Sequence, residues 1–569
     1  MSSLRPGFEF VPPQDLAGVA AGSLGAAALR GALDLPGFLL ARSADDIAPP
    51  PERFERAERV GLAARLERCL APLRPHVAVL DAIRSLREPG ACCVVTGQQP
   101  GLLASPLLSL YKALQALRLA RLLRQAWERP VVALFWNHAD DHDVAEVHHA
   151  WLVNENLDLQ RVGLAGMSSG RQPVGRIRLD AEHHNLAALR ALLEQSLVHR
   201  STDPVRRARA QRAIELFLPR AGETLATAFT RTLTGLVGHL GLVVIEPEWI
   251  REELARALAL LVTCAPLERL HESSAALRTA GYEVGIEPEG AALLYRLDER
   301  GRHGLRGGGE GFRYDDEPGS RTADELAAEI VQDLHRWSPG ALLRPIAQDL
   351  CLPVAAYVGG PGELAYHAQL PALRRSAQAP LTPFVLRRSC TLVEAEVASS
   401  LRRLGLDART VLAGRLNQVL EREDAGPPPA LEALRRAGER AAEELLAPRA
   451  ELARFDRALA QNLARTAAQV RSMVDKLVAK GERVHQNSTG RGRRHVRRVE
   501  SALTPRGLPQ ERVLGPLPFV ARLGSEWVDA LFGELDPFDP RHLVAIWPPE
   551  PDDDERAQSG GAQPAEHGP

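Results

Sequence analysis

The run Asn137-His138-Ala139-Asp140-Asp141-His142-Asp143, with Glu146, His148 and His149 after it, concentrates carboxylates and imidazoles within thirteen residues. Two chemistries suit such a cluster. Carboxylate and imidazole can bind substrate hydroxyls or an amine and can move protons. His142 is the natural proton acceptor, because an unperturbed imidazole titrates near pH ~6.5. The same groups could hold a divalent metal, with His142 and Glu146 one helical turn apart. No H-E-x-x-H or comparable zinc spacing is present, so no metal ligand is assigned. A solvated loop with helix-capping acids would carry the same residues with neither role.

A second constellation is Thr96-Gly97-Gln98-Gln99-Pro100-Gly101-Leu102, between an apolar run and an amphipathic one. Ligands of open parallel sheets bind at the carboxyl ends of strands, and free N–H groups at helix starts favour anions. Thr96, Gln98 and Gln99 add side-chain donors, while Gly97 and Gly101 permit close backbone approach. The spacing is neither that of a Walker loop nor G-x-G-x-x-G, and an ordinary polar turn is the alternative. Lys112 follows on the next helix. Of 70 basic residues only Lys112, Lys476 and Lys480 are lysine, the rest being arginine. Coding bias toward arginine makes a retained lysine informative, because an ammonium is a compact point charge suited to phosphate or carboxylate. A third glycine-rich segment, Tyr357-Val358-Gly359-Gly360-Pro361-Gly362-Glu363, could line a nucleotide or substrate pocket; a tight turn needing φ > 0 is the alternative. The basic run Arg491–Arg498 lacks interleaved aromatics and reads as a solvated or partner-facing helix.

These residues need a scaffold. Helical spacing runs over 52–88, a strand over Ala91–Val95, a loop over Thr96–Gly101, a helix from about Pro106 to Trp127 and a strand over 131–136. Leu240–Glu246 and Pro353–Val358 are further strands, and the Gly- and charge-rich residues 301–320 read as a surface loop. This order predicts an α/β fold with a Rossmann-like parallel-sheet core over 1–389. Beyond residue 390 strand-like runs vanish. Phe455, Leu459, Leu463, Thr466, Val470, Met473 and Leu477 form one stripe and Leu431, Leu434, Ala441, Leu445 and Leu452 another. They predict an antiparallel coiled-coil hairpin at about 428–503, within a C-terminal helical domain at 390–547. Residues 548–569 have no apolar periodicity and predict a disordered tail.

Composition narrows the class. In 569 residues, 45% hydrophobic and 25% charged content excludes wholesale disorder, and a net charge of −2 removes the simplest case for nucleic-acid binding. Six cysteines without a C-x-x-C pair form no disulfide framework. No basic-then-apolar leader opens the chain, and no stretch of ~20 uninterrupted apolar residues suits a membrane span. A cytoplasmic protein, with no membrane partner, is expected.

Five segments in this order resemble one family. They are VVTGQQPGLLASPLLSLYKA (94–113), VVALFWNHADDHDVAEVHH (131–149), SPGALLRPIAQD (338–349), LPVAAYVGGPGELAYHAQL (352–370) and GLPQERV (507–513). The family is that of the cysteine ligases of bacillithiol biosynthesis, BshC, and the resemblance spans about residues 50–547. It implies a Rossmann-like core with inserted connecting segments and a C-terminal coiled coil that makes a homodimer. It implies a ligase joining cysteine to glucosaminyl-malate, with ATP, or ADP as bound product, at the site. By position it implies catalytic His142, Asp141, Asp143 and Lys112. Thr96, Gly97, Gln98, Gln99, Glu146, Arg344, Gln348 and Tyr366 would bind substrate. Gly359, Gly360, Gly362, Glu363, Gln510 and Arg512 would bind nucleotide. Three departures stand out: Asp140 replaces the family's usual glutamate, His138-Ala139 replaces the small polar pair usual before it, and Gly490-Arg491-Gly492 would break the hairpin's returning helix. The alternatives are a metal-dependent hydrolase using Asp140–His149 and a non-catalytic coiled-coil protein that binds a nucleotide or small acid.

Overall fold

Five short apolar runs make one parallel sheet, and the remaining elements are arranged around it. The computed structural model describes residues 5–17, 23–154, 157–167, 170–199, 201–308, 311–416 and 428–548, with backbone alone over 483–492. The expected tail, apart from Pro548 at its start, lies outside the described residues. Across the sheet the strands are Phe384–Leu386, Val354–Gly359, Cys92–Gln98, Val131–Asn137 and Val243–Ile245, all parallel. Read from Val243–Ile245, they come third, second, first, fourth and fifth along the chain, which is Rossmann-like order. The strands are almost continuously apolar because both faces are covered. The helix Leu108–Trp127 packs on one face, and Arg251–Val262 and Arg344–Cys351 pack on the other. Strand order reverses between Cys92–Gln98 and Val354–Gly359, so the crevice beyond their carboxyl ends is the topological switch point. Thr96 closes that seam by donating to the Val358 carbonyl at 2.8 Å.

The first strand continues through Gln98, so Thr96, Gly97 and Gln98 are strand residues and only Gln99–Gly101 turn away. The turn is tight: a Cβ on Gly101 would stand 1.9 Å from the Ser105 carbonyl oxygen. The expected helix over 52–88 is two helices, Arg56–Leu70 and Val77–Ser85, interrupted where Arg74 takes φ +50° before Pro75.

Residues 301–320 are not a surface loop. Gly301–Gly308, Gly311–Tyr314 and Ser320–Arg321 join Leu294–Asp298 and Trp337–Pro339 in a five-stranded antiparallel sheet, inserted between the third and fourth core strands. Its glycines allow close packing: a Cβ on Gly301, at φ +120°, would lie 2.4 Å from the Arg171 carbonyl oxygen. Its charges are paired, His303 bridging Asp298 at 2.9 Å and Asp316 at 2.7 Å. Strands also persist after residue 390. Cys390–Val393 runs parallel to His542–Ile546, and Gly7–Val11 pairs antiparallel on its other side.

Pro429–Leu446 and Arg457–Leu503 form the hairpin, and the returning helix continues without a break through Gly490-Arg491-Gly492. Small residues set the closeness of the two helices: a Cβ on Gly438 would meet Val474 at 2.7 Å, and one on Gly481 would meet Leu431 at 2.6 Å. The buried stripe is Ala460, Ala467 and Val478, whereas Phe455, Leu459, Met473 and Leu477 face outward. Among the described residues no helix is long and apolar enough to cross a membrane.

His542 is buried within its sheet, with Nε2 2.9 Å from Thr391 Oγ1 and Nδ1 against Ser389 Oγ. Burial pushes its pKa down to about 4 and pushes His138 and His367 down as well. In the unfolded chain these imidazoles titrate near ~6.5, so the unfolded state takes up more protons as pH falls below that value. The stability they contribute is complete above about pH 6.5 and drains toward pH 4. The urea midpoint is therefore expected to fall between pH 7 and pH 5, and less steeply in His542→Asn. A flat midpoint over that window would contradict three buried neutral histidines.

Candidate functional site

The turn after Val131–Asn137 is pinned from both ends. Asn137 Nδ2 donates to the Ala226 carbonyl and to Thr230 Oγ1, both at 3.0 Å, and the His138 N–H donates to the Gln98 carbonyl at 3.0 Å. Asp140 receives both Nη groups of the buried Arg251, one at 2.5 Å, and the Ser338 hydroxyl at 2.9 Å. Arg251 also donates to the Trp337 carbonyl at 3.1 Å, so Asp140 clamps the turn to the inserted sheet. Burial would raise the Asp140 carboxyl, and Arg251 outweighs it and holds it low. Its oxygens are engaged within the protein.

Asp141, His142 and Gln99 meet beyond this clamp. Gln99 Nε2 donates to Asp141 Oδ2 at 2.6 Å, and Asp141 Oδ1 accepts the His142 N–H at 2.7 Å. Arg302, from the inserted sheet, reaches the same group. Its Nη1 lies 3.2 Å from His142 Nδ1 and 3.6 Å from Asp141 Oδ1, and its guanidinium sits 3.7 Å over the Tyr295 ring. Burial and Arg302 both lower the His142 pKa, so the ring is neutral near pH 7. Arg302 has only donors, which assigns Nδ1 as acceptor and leaves the proton on Nε2. The ring nitrogen of His142 that could take a proton therefore faces Arg302. Asp143 caps the short helix Val144–Val147. Burial and the nearby Asp143 raise the Glu146 carboxyl, against a hydrogen bond from Gln99.

Lys112 belongs to a second group at the switch point. Its Nζ donates to the Gly97 carbonyl and to Gln98 Oε1, each at 2.8 Å, and forms an ion pair with Glu363. Glu363 also accepts the Tyr357 hydroxyl at 2.7 Å and the Gly360 N–H at 2.9 Å. Burial would raise the Glu363 carboxyl, but Lys112 and the Gly360 N–H hold it low. All three N–H groups of Lys112 thus have acceptors inside the protein, at 3% side-chain exposure. The glycines of 359–362 do not serve a φ > 0 turn, since none adopts one. Gly359 is needed for space, as a Cβ there would stand 2.6 Å from the Phe384 ring. Arg344 donates to the Tyr366 hydroxyl at 2.8 Å and to Gln348 Oε1 at 3.3 Å.

Gln510 does not join either group. Its amide bonds the Leu392 N–H and the Leu392 and Ala502 carbonyls, each at 2.8 Å, and latches the C-terminal segment to the Cys390–Val393 strand. Arg512 is exposed. Its neighbour Glu511 receives both Nη groups of Arg387, whose N–H donates to the Gly359 carbonyl at 2.7 Å. Arg251, Tyr295, Arg302 and Arg387 escaped the sequence reading. Only the alternation within Leu294–Asp298 could have pointed to Tyr295 and, by pairing, to Arg302. In Lys112→Met the Glu363 carboxylate would stay buried without its cation, which costs about 3–5 kcal/mol. Chemical denaturation should register that loss. A variant as stable as the parent would show that Lys112 is not the tie described.

Two family models match the chain in succession. Residues 46–388 match the N-terminal Rossmann-like domain of bacillithiol biosynthesis BshC, and residues 390–547 match its C-terminal coiled-coil domain. Similar proteins include one from Solibacter usitatus, 31% identical over 478 residues, covering 82% of this chain and 87% of its own. One from Koribacter versatilis is 30% identical, covering 84% of this chain and 88% of its own. One from Geobacillus thermodenitrificans is 29% identical, covering 86% of this chain and 90% of its own. Each bears the name "Putative cysteine ligase BshC". With nearly the whole length from residue 46 to residue 547 matched in domain order, the chain belongs to the BshC family of bacillithiol biosynthesis.

Proposed function

We propose that this protein is a ligase that joins the carboxyl of cysteine to the amine of glucosaminyl-malate, forming bacillithiol in the cytoplasm. The observation that carries the reading is the meeting of Gln99, Asp141, His142 and Arg302 beside the carboxyl ends of the first two core strands. The names of the relatives support the class of reaction. ATP, when bound, would supply the activation that a carboxyl needs before an amine can displace from it.

The attacking amine must first lose a proton. Asp141 is poorly placed to take it, because Gln99 and two backbone N–H groups already occupy its oxygens. Glu146 is better suited: it stands beside Gln99, remains open to solvent on one side, and has its affinity for a proton raised by partial desolvation and by Asp143. His142, with its proton on Nε2, can donate to a substrate oxygen. Gly362 offers open backbone for a nucleotide, since a Cβ there meets nothing within 4 Å. The hydrolase alternative draws no support from the geometry. Asp140 faces Arg251, His142 faces Arg302 and His148 faces Arg161, and among the described residues no three acids, histidines or cysteines converge on a metal-sized site.

Incubation of the purified protein with cysteine, glucosaminyl-malate and ATP should give the amide by mass spectrometry, and Glu146→Gln should slow it by roughly 10²–10⁴-fold. No product under these conditions would favour the non-catalytic binding protein. The outward stripe on the hairpin, with Phe455 at 87% exposure and Met473 at 70%, suits a second copy of the chain. The double substitution Met473→Glu and Leu477→Glu should therefore give monomers by light scattering with the melting temperature kept. Dimers that survive it would place the contact elsewhere.

A further inference from the structure

Eight arginines among the described residues are buried, and they are not alike. Arg59, Arg231, Arg251, Arg374, Arg387 and Arg388 each have a carboxylate oxygen within 2.9 Å. Arg302 has Asp141 at 3.6 Å. Arg344, at 8% exposure, has no carboxylate oxygen within 4.0 Å among the described residues. A guanidinium cannot give up its proton to escape burial, so its charge requires a counter-charge. Its protein partners are neutral: the Tyr366 hydroxyl, Gln348 Oε1 and the face of Tyr357, whose ring centre is 5.7 Å away. Glu363 is near enough to be felt, but Lys112, Tyr357 and the Gly360 N–H have claimed its oxygens.

A second observation points the same way. His138 Nε2 is buried without a hydrogen-bond partner, and the cations that act on that ring are Arg344 and Lys112. Tyr366, beside Arg344, is only partly buried, and Glu363 keeps 15% of its side chain exposed, so the group borders solvent. We propose that Arg344 is the seat of a ligand oxyanion, a carboxylate or a phosphoryl group, and that Lys112, already neutralised by Glu363, is not. The two oxygens of such an anion match the two-pronged edge of a guanidinium. The inference deepens the proposed function by naming the residue that recognises the acidic part of a substrate, and it rests on that reading only for the ligand's identity.

Calorimetry on the full chain tests it, with malate in one arm and inorganic phosphate in the other. The parent should bind at least one of them, and Arg344→Gln should bind it at least tenfold more weakly, with Arg344→Lys between the two. Binding of malate alone would identify a carboxylate substrate, and binding of phosphate alone a phosphoryl group; either supports the seat. Without ligand, Arg344→Gln should melt at or above the parent's temperature, because the charge removed had no partner. Arg374→Gln, which strands Asp349, should melt lower. Three results would overturn the proposal: a parent that binds neither anion, an Arg344→Gln that binds as the parent does, or one that melts or fails to fold as Arg374→Gln does. Binding is read without turnover, so Arg344-dependent binding in a protein that makes no amide would remove the ligase and leave the seat.

Discussion

The ion pair between Lys112 and Glu363 is the interaction on which the rest of the site depends. A parallel sheet leaves a crevice where its strand order reverses, and here that crevice holds an ammonium and a carboxylate from two different helices. The ammonium also takes the Gly97 carbonyl and Gln98 Oε1, so one point charge ties Leu108–Trp127 to the end of the first strand. The carboxylate takes the Gly360 N–H and the Tyr357 hydroxyl, which fixes the fourth strand to the helix after it. Arginine could not replace this lysine by charge alone, because a planar fork does not reach three acceptors arranged around one nitrogen. The only lysine in the first 475 residues is retained where that geometry is required.

A second constraint is the orientation of the acidic turn. Asp140 spends its charge on Arg251 and the Ser338 hydroxyl, both belonging to segments that pack far along the chain from it. This leaves Asp141 and His142 as the residues of the turn that meet Gln99 and Arg302. The shorter acid at position 140 is consistent with such a clamp. Its carboxylate stays near the backbone, and the long arginine spans the gap.

What could be read in the sequence follows from how local each signal is. Cys92–Val95 and Val131–Trp136 announce themselves because a strand buried on both faces must be apolar throughout. The candidate segments 96–101, 137–146 and 359–366 were legible because each combines polar residues with glycine or acid at a strand's end. The inserted sheet was not, since its glycines answer to backbone packed against it from elsewhere, as Gly301 does to Arg171. Arg302 was hidden for the same reason, carried by a strand whose neighbours read as loop. In the hairpin the heptad spacing located the helices but not their inner face. Glycine at 438 and 481 lets the helices approach along the Ala460, Ala467 and Val478 stripe, and the larger side chains are turned outward.

The abundance of arginine, which looks like coding bias, has a structural use. Six buried guanidiniums each meet a carboxylate closely, and such pairs fix orientation as well as charge. Pairing on this scale makes an exception meaningful. Among the described residues the other buried arginines are neutralised, whereas Arg302 holds a carboxylate at arm's length and Arg344 holds none. Both flank the segment from Ser338 to Arg344: Arg302 faces Ser338 Oγ and the Pro339 carbonyl at 3.4 Å, and the Arg344 N–H bonds the Gly340 carbonyl at 2.9 Å. Positive charge is therefore left uncompensated at this edge of the site, while the cation that the sequence singled out, Lys112, is already satisfied. If Arg344 seats a ligand oxyanion as proposed, recognition of an acidic substrate falls to arginine, and the lysine holds in place the strand ends beside it.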